Sequence, residues 1–173
     1  NAAVQVFEST RGLKNGDTVE FVDKMLEATL GPGLLSSSYD GLQNDLTTMT
    51  GVFLKKGEYT NPLDHEKIWD FTPLAKPGDK VVAADWLGEV KEGWLPHKIM
   101  VPFAFKGEYT VKSVVPAGQY NIDKVIAVLT NAEGEDVNVT MYQKWPVKVA
   151  IKGYKDKPRP SKIMETGVRA IDT

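Results

Sequence analysis

A series of short apolar runs separated by turn residues is the feature that most constrains the fold. The runs lie at positions 52–54, 80–83, 86–90, 98–101, 109–115, 125–129, 137–142 and 147–151. Between them, combinations of proline, glycine and acidic residues at 77–79, 116–118 and 133–135 are typical of tight turns. Short strands with closely spaced turns are characteristic of all-β barrels and sandwiches. The sequence therefore predicts a mainly β fold.

The first residues carry the same signal. Apolar and polar residues alternate at 4–7 and 18–22, which predicts two more strands. The pair Asn15-Gly16 lies between them and favours the positive φ angles of a type I′ hairpin turn. We therefore predict a hairpin near the start of the chain.

One stretch has helical spacing instead. Its apolar residues recur every three or four positions and would form one stripe on an α-helix. They are Leu35, Tyr39, Leu42, Leu46 and Met49. The spacing predicts an amphipathic helix over 34–48, with its apolar stripe packed against the core, after a sharp turn at 30–33.

The composition excludes several classes of function. The chain of 173 residues has no cysteine, which excludes disulfides, cysteine-ligated zinc, iron–sulfur clusters and thiol nucleophiles. Its 21 Lys and Arg residues nearly balance its 23 Asp and Glu residues, so it has no general attraction for nucleic acid. No apolar run approaches the roughly 20 residues that span a bilayer. We expect one cytoplasmic domain that neither binds nucleic acid nor inserts into a membrane.

The sequence carries no motif for catalysis or cofactor binding. The phosphate-binding pattern Gly-x4-Gly-Lys-Ser/Thr is absent, and serines 36–38 fall where hydroxyl groups cap the predicted helix. The two histidines, His65 and His97, have no companions to complete a metal shell and are interpreted as ordinary surface or turn residues. The acidic residues at turns are expected to be solvated or to bond local amides: Asp79, Asp85, Glu92, Glu133, Glu135 and Asp136. We assign no catalytic, cofactor-binding or metal-binding residue.

Three aromatic residues are predicted to lie in the core. Trp69 and Phe71 fall in the stretch 69–73, and Trp145 precedes a proline. Each bulky ring buries a large apolar area where a strand meets a turn.

Both ends of the chain suggest a piece of a longer protein, since the last residues, 166–173, form an apolar segment with no tail. Asn1 and Ala2 precede the first apolar run without an initiator methionine, and we interpret them as a tag remnant. The stretch 155–162 combines two prolines with four basic residues, which predicts an extended, solvated linker.

Six stretches resemble landmarks of the catalytic A subunit of V-type and archaeal A-type rotary ATPases. They occur in the same order along the chain, at 30–46, 69–73, 96–102, 117–120, 142–148 and 166–173. The departure is at 43–46, where the family more often has Arg-Pro, and this suggests a divergent bacterial member. The resemblance implies closing strands of the N-terminal β-barrel at 1–29 and a connecting turn and helix at 30–46. It further implies the bulge, or non-homologous, insertion at 47–145, and a return strand and linker toward the nucleotide-binding domain at 146–173.

The resemblance also implies the function of the parent enzyme. Such an enzyme couples ATP hydrolysis or synthesis to proton or sodium transport and uses ATP and Mg²⁺ in its nucleotide-binding domain. Its expected partners are the B subunit and the subunits of the central and peripheral stalks, in a cytoplasmic head that is peripheral to the membrane. The bulge of this family is associated with stator attachment, and a fragment that contains only this region is expected to be inactive by itself.

Two other interpretations of the sequence remain open. Residues 77–90 and 107–118 resemble the halves of a lipoyl or biotinyl carrier domain, which is a barrel-sandwich hybrid with the modified lysine at a hairpin tip. This resemblance implies a barrel-sandwich-hybrid-like β domain, and we keep that fold as the expectation for the chain apart from any carrier function. The expected tip here is 91–95, and neither Lys91 nor Lys98 has the Met-Lys-Met or Asp-Lys-Ala neighbours of those carriers. The other alternative is a plain β interaction module, such as an oligonucleotide-binding barrel.

Overall fold

The described part of the chain is built from β-strands. The computed structural model describes residues 9–18, 20, 25–35, 37–48, 60–152, 156 and 159–168. Within these residues the regular elements are β1 (Glu27–Leu30), β2 (Trp69–Pro73), β3 (Lys80–Val81), β4 (Trp86–Glu92), β5 (Leu95–Met100), β6 (Tyr109–Val114), β7 (Gly118–Tyr120), β8 (Ala127–Thr130), β9 (Asp136–Val139) and β10 (Gln143–Pro146). The predicted mainly β fold is therefore confirmed.

The strands form three antiparallel sheets. One four-stranded sheet has the order β5-β4-β2-β7, and the other has the order β3-β6-β8-β9. The third is a two-stranded ribbon in which β1 pairs with β10. We call residues 69–141, which carry the two four-stranded sheets, the sheet unit. The ribbon therefore brings together two strands that are separated in sequence by the whole sheet unit.

A single apolar core lies between the two four-stranded sheets. Inward-facing residues of both sheets belong to one cluster, which includes Phe71, Leu87, Val90, Ile99, Val81, Val111, Leu129 and Val139. Alternation along the strands places most of these residues inside because successive side chains point to opposite faces. Leu87 is three residues from Val90 and faces inward beside an irregularity in the β4–β5 pairing, between Trp86 and Gly88. The two layers around one core match the predicted barrel-sandwich arrangement.

The three aromatic residues predicted for the core differ in how deeply they are buried. Trp69 and Phe71 are buried, as predicted. Trp145 is only half-buried, so its predicted core position is wrong. It lies on β10, which pairs with β1 outside the sheet unit. Its indole N–H donates to the carbonyl oxygen of Val149 at 2.7 Å, and its ring packs edge-on against Phe103.

The amphipathic helix predicted over 34–48 is wrong. The described residues of this stretch contain turns and one isolated antiparallel bridge, between Tyr39 and Asp45, and no helix. Two members of the apolar stripe are exposed, Leu35 at 60% and Leu46 at 40%. A helix that packed this stripe against the core would have buried both. Met49 lies outside the described residues.

The physical reason for this failure is a polar side chain within the stretch. The carboxylate of Asp40 accepts the backbone N–H groups of Leu42 and Asn44, at 2.9 and 2.7 Å, and the side-chain amide of Asn44 at 2.8 Å. These bonds offer the backbone an alternative to helical hydrogen bonds. Gln43 completes the turn with a positive φ of 64°. Local capping therefore overrides the apolar spacing.

This turn predicts a measurable pH dependence. The hydrogen bond from Asn44 lowers the pKa of the Asp40 carboxyl below its usual 3.8. The stabilisation of the turn is therefore present above pH 3.8 and is lost as the pH falls through the lower folded pKa. We expect Asn44→Ala to move the Asp40 pKa back toward 3.8 in an NMR titration. Asp136, whose pKa is lowered by Lys112, is the internal control because it has no bond to Asn44. An Asp40 pKa that does not change in the variant would contradict this account.

Several strand boundaries also differ from the sequence prediction. The run at 147–151 forms no strand, and the strand before it, β10, was not predicted. The predicted turn at 14–17 exists, since the Asp17 N–H donates to the Lys14 carbonyl at 3.2 Å. It is not type I′, because Asn15 is not among the described residues with positive φ. The runs at 4–7 and 52–54 and most of 18–22 lie outside the described residues.

Candidate functional site

The most unusual polar group in the described structure is the carboxylate of Glu92. This residue is the last of β4 and is only 3% exposed. Its Oε1 accepts the backbone N–H groups of Gly33 at 2.7 Å and Leu35 at 3.1 Å. Its Oε2 lies 2.6 Å from Nδ1 of His97. The expectation that Glu92 is solvated or bonds local amides is wrong, because its amide partners lie 59 and 57 residues away along the chain.

The position of Glu92 follows from the alternation of β4. Val90 and Glu92 are two residues apart, so their side chains leave the strand on the same, inward face. Val90 fills the core, and Glu92 extends that face to the segment 31–35, which we call the junction turn. A carboxylate at an inward position is the sequence signal that could have revealed this contact.

The junction turn is packed tightly against the sheet unit and its connections. A Cβ on Gly31 would lie 2.8 Å from the Cβ of Tyr142 and 3.0 Å from Cδ1 of Leu63. Gly33 has a φ of +111°, a conformation that side-chain-bearing residues rarely adopt. Pro32 between them is fully buried. Together the two glycines let the backbone come close enough to Glu92 to bond it.

The two histidines have carboxylate partners. His65, in the segment before β2, has its Nδ1 2.9 Å from Oδ2 of Asp123 and its ring edge-on to Tyr142 at 5.5 Å. His97 lies on β5 beside Glu92. Both are half-buried, so they are more constrained than the ordinary surface residues that were expected. In the part of the chain that the structure describes, no three His, Asp or Glu side chains are grouped to hold a metal ion.

The lysines considered for a carrier role lie within strands. The tip of the β4–β5 hairpin is Gly93-Trp94, and Gly93 supplies the positive φ of 62° that a two-residue hairpin loop requires. Lys91 precedes this tip on β4. Lys98 lies on β5, where it pairs with Glu89 and lies over the Trp86 ring. The exposed group at the tip is Trp94, with 87% of its surface accessible.

Some of the remaining predicted polar residues bond the local backbone, whereas Asp136 pairs with Lys112 and accepts the Thr130 hydroxyl. Ser37 donates its hydroxyl to the Gly33 carbonyl at 3.3 Å, and Ser36 lies outside the described residues. Asp79 and Asp85 accept backbone N–H groups three residues before them, as expected for turns. In the part of the chain that the structure describes, there is no helix long and apolar enough to cross a membrane.

A second contact joins the sheet unit to the ribbon. The Phe103 N–H, just after β5, donates to Oε1 of Gln143 on β10 at 2.8 Å. The ring of Phe103 packs against Trp145 on the same strand. Glu92 and Gln143 therefore each bond backbone N–H groups across the junction. What the arrangement can do is hold the sheet unit against the ribbon and the junction turn, which together we call the base.

Comparison with known proteins identifies the fold family. Residues 60–148, just over half of the chain, match the family described as ATP synthase alpha/beta subunit barrel-sandwich domain. The chain belongs to this family. The two four-stranded sheets of the sheet unit, with their shared core, are the barrel-sandwich fold of the family, and the fold class predicted from the sequence is confirmed.

Relatives from bacteria cover nearly the whole chain. It is 51% identical over 172 residues to the V-type ATP synthase alpha chain of Borrelia turicatae, which covers 98% of the chain. It is 46% identical to the alpha chains of Treponema denticola and Protochlamydia amoebophila, which cover 99% of it. The chain spans about 30% of the length of these relatives. The resemblance to the A subunit of V-type rotary ATPases is therefore confirmed.

Proposed function

We propose that this member of the barrel-sandwich family is the bulge region of the catalytic subunit of a V-type ATP synthase. In this role it is a rigid β body that braces the catalytic head against torque. The observation that carries the proposal is the packing of the residues that match the family. Within residues 60–148 the two four-stranded sheets share one apolar core, and Glu92 and Gln143 bond backbone N–H groups at its base. A body of this kind can bear load, because a close-packed interior has low compressibility.

The parent enzyme follows from the relatives. We propose that it couples ATP synthesis or hydrolysis to proton or sodium transport, with ATP and Mg²⁺ bound by a domain beyond these residues. Its partners are the B subunit and the subunits of the central and peripheral stalks, in a cytoplasmic head attached to a membrane complex. The chain by itself is expected to hydrolyse no ATP.

The proposed domain boundaries follow the pairing of the ribbon. Residues 1–29 form the end of the N-terminal barrel, 30–46 the connection, 47–145 the bulge and 146–173 the return toward the nucleotide-binding domain. The pairing of β1 with β10 supports this division, because it brings the two ends of the bulge together at one base.

Deletion of residues 52–141 from the complete subunit tests the bracing function. We expect the assembled enzyme to keep most of its ATP hydrolysis but to lose most of the ion transport that each hydrolysed ATP drives. Both rates are measured on the same reconstituted vesicles. The control is Lys112→Ala, which removes an exposed ion pair with Asp136 and leaves the sheet unit in place. Equal loss of both rates, or no loss of either, would count against the proposal.

A further inference from the structure

The buried carboxylate of Glu92 joins two parts of the chain that are distant in sequence. Burial of a charged carboxylate costs free energy unless its oxygens are well bonded. Here both oxygens have partners, and one accepts two backbone N–H groups of the junction turn. Hydrogen bonds to an ionised acceptor are about twice as strong as those between neutral groups. The contact is therefore a strong attachment point.

No other polar link joins these parts in the described residues. Every hydrogen bond between residues 27–48 and the sheet unit ends on Glu92. Apolar contacts add to this attachment, because Leu34 packs against the core cluster and the Cβ position of Gly33 lies 3.7 Å from Cζ2 of Trp69. The chain itself crosses between the two parts twice. One crossing passes Leu63 and the other passes Tyr142, and both are packed against Gly31.

Apolar contacts have no direction, so they define the orientation of the sheet unit less sharply than hydrogen bonds do. The two crossings and the apolar contacts of Gly33 and Leu34 all lie at the junction turn. The Phe103–Gln143 bond adds a contact to the ribbon, and the Glu92 bonds add one to the junction turn. We propose that Glu92 is the positioning residue that fixes the orientation of the sheet unit on its base, so that both move as one body. This inference rests on the proposed bracing function.

Three variants of β4 test the attachment in the 173-residue chain. Glu92→Leu keeps the volume but leaves the Gly33 and Leu35 N–H groups unpaired. Glu92→Gln keeps an acceptor oxygen without the charge. Glu89→Gln removes a carboxylate from the outer face of the same strand and is the matched control.

The readout is amide hydrogen exchange at Gly33 and Leu35. We expect exchange at both sites to become about tenfold faster or more in Glu92→Leu, with an intermediate effect in Glu92→Gln. The Ile126 amide, bonded to Val139 in the other sheet, should be unaffected and reports on global unfolding. If Glu92→Leu does not fold, Glu92→Gln decides the question. Wild-type exchange at Gly33 and Leu35 in a folded Glu92 variant would overturn the inference.

The same variants in the assembled enzyme test the consequence for function. We expect Glu92→Leu to lower the ratio of ion transport to ATP hydrolysis at unchanged hydrolysis, Glu92→Gln to restore part of it, and Glu89→Gln to match wild type. A role in folding alone would reduce the amount of assembled enzyme and leave this ratio unchanged. If deletion of 52–141 lowers the ratio and Glu92→Leu does not, this inference is wrong and the bracing function stands. If neither lowers it, the bracing function is wrong and the inference falls with it.

Discussion

Phe71→Ala is expected to lower the free energy of unfolding by about 3–5 kcal/mol. Phe71 is 1% exposed and lies on β2, which pairs with β4 on one side and β7 on the other. Its ring also meets the Tyr120 ring edge-on at 6.4 Å. Truncation removes the buried apolar area and leaves a cavity that a paired central strand cannot close. A domain of this size has only about 5–15 kcal/mol of stability in total, so the loss is a large part of it.

Urea unfolding of the 173-residue chain measures this loss. The control is Thr72→Ala, the next residue on β2, whose side chain is exposed on the outer face. Thr72→Ala should change the free energy of unfolding by no more than about 1 kcal/mol, the range of strand propensity. An equal midpoint for the two variants, at unchanged denaturant dependence, would show that Phe71 does not hold the core.

Most strands of the sheet unit could be predicted because their signal is local, although β2 and β7 fall outside the predicted runs. The alternation at 86–90 and 109–115 sets the inward face of β4 and β6, and the turn residues at 77–79 and 133–135 end the neighbouring runs. Each of these signals depends on residues a few positions apart. The prediction of a mainly β fold therefore needed little knowledge of long-range contacts, whereas the barrel-sandwich arrangement was implied by the resemblance to carrier domains.

The helix failed because two local signals competed. The spacing of apolar residues indicates which face of a helix could be buried. It does not indicate which acceptors the backbone N–H groups bond. Asp40, Gly41 and Asn44 favour a turn, and the carboxylate of Asp40 bonds the amides that a helix would have used. The types of residue in this stretch predict its structure better than the spacing of its apolar residues does.

Trp69 and Trp145 show the limit of reasoning from one residue at a time. Both tryptophans lie in stretches that carry strand and turn signals, and both have large apolar side chains. Trp69 lies on a strand of the sheet unit, whereas Trp145 lies on the ribbon. Which sheet a strand joins depends on pairing with distant residues, and this could not be predicted from the neighbours of either tryptophan.

The contact of Glu92 is of the same kind. Its partners, Gly33 and Leu35, lie almost sixty positions away along the chain. The residues next to Glu92 could therefore only indicate that it lies at the end of a hairpin strand. The inward register that Glu92 shares with Val90 could have marked it as unusual, but nothing local indicated the junction turn as its partner. The spacing Gly31-Pro32-Gly33 indicated a sharp turn without indicating what lies against it.

Gly88→Ala is the second substitution with a large expected effect. Gly88 lies on β4 opposite Pro73, where the chain passes directly over the Phe71 ring. A Cβ there would lie 2.3 Å from both Cε2 and Cζ of Phe71 and 2.9 Å from the backbone oxygen of Thr72. The ring is enclosed by the core, and the backbone oxygen belongs to a paired strand, so neither can move freely. We expect a loss of about 3 kcal/mol, at the upper end of the range for overpacked cores.

A double-mutant cycle with Phe71→Leu separates this clash from the general cost of replacing a glycine. A leucine leaves space where the aromatic Cε2 and Cζ atoms stood, so the alanine should cost less in the Phe71→Leu background than in wild type. We expect a coupling free energy of about 1–3 kcal/mol, measured by urea unfolding of the four proteins. Gly41→Ala is the matched control, since nothing lies within 4 Å of its Cβ position and its φ is not positive; it should be neutral or slightly stabilising. Additive losses in the cycle would mean that the Phe71 ring does not set the requirement for glycine at position 88, and that the Thr72 backbone alone does.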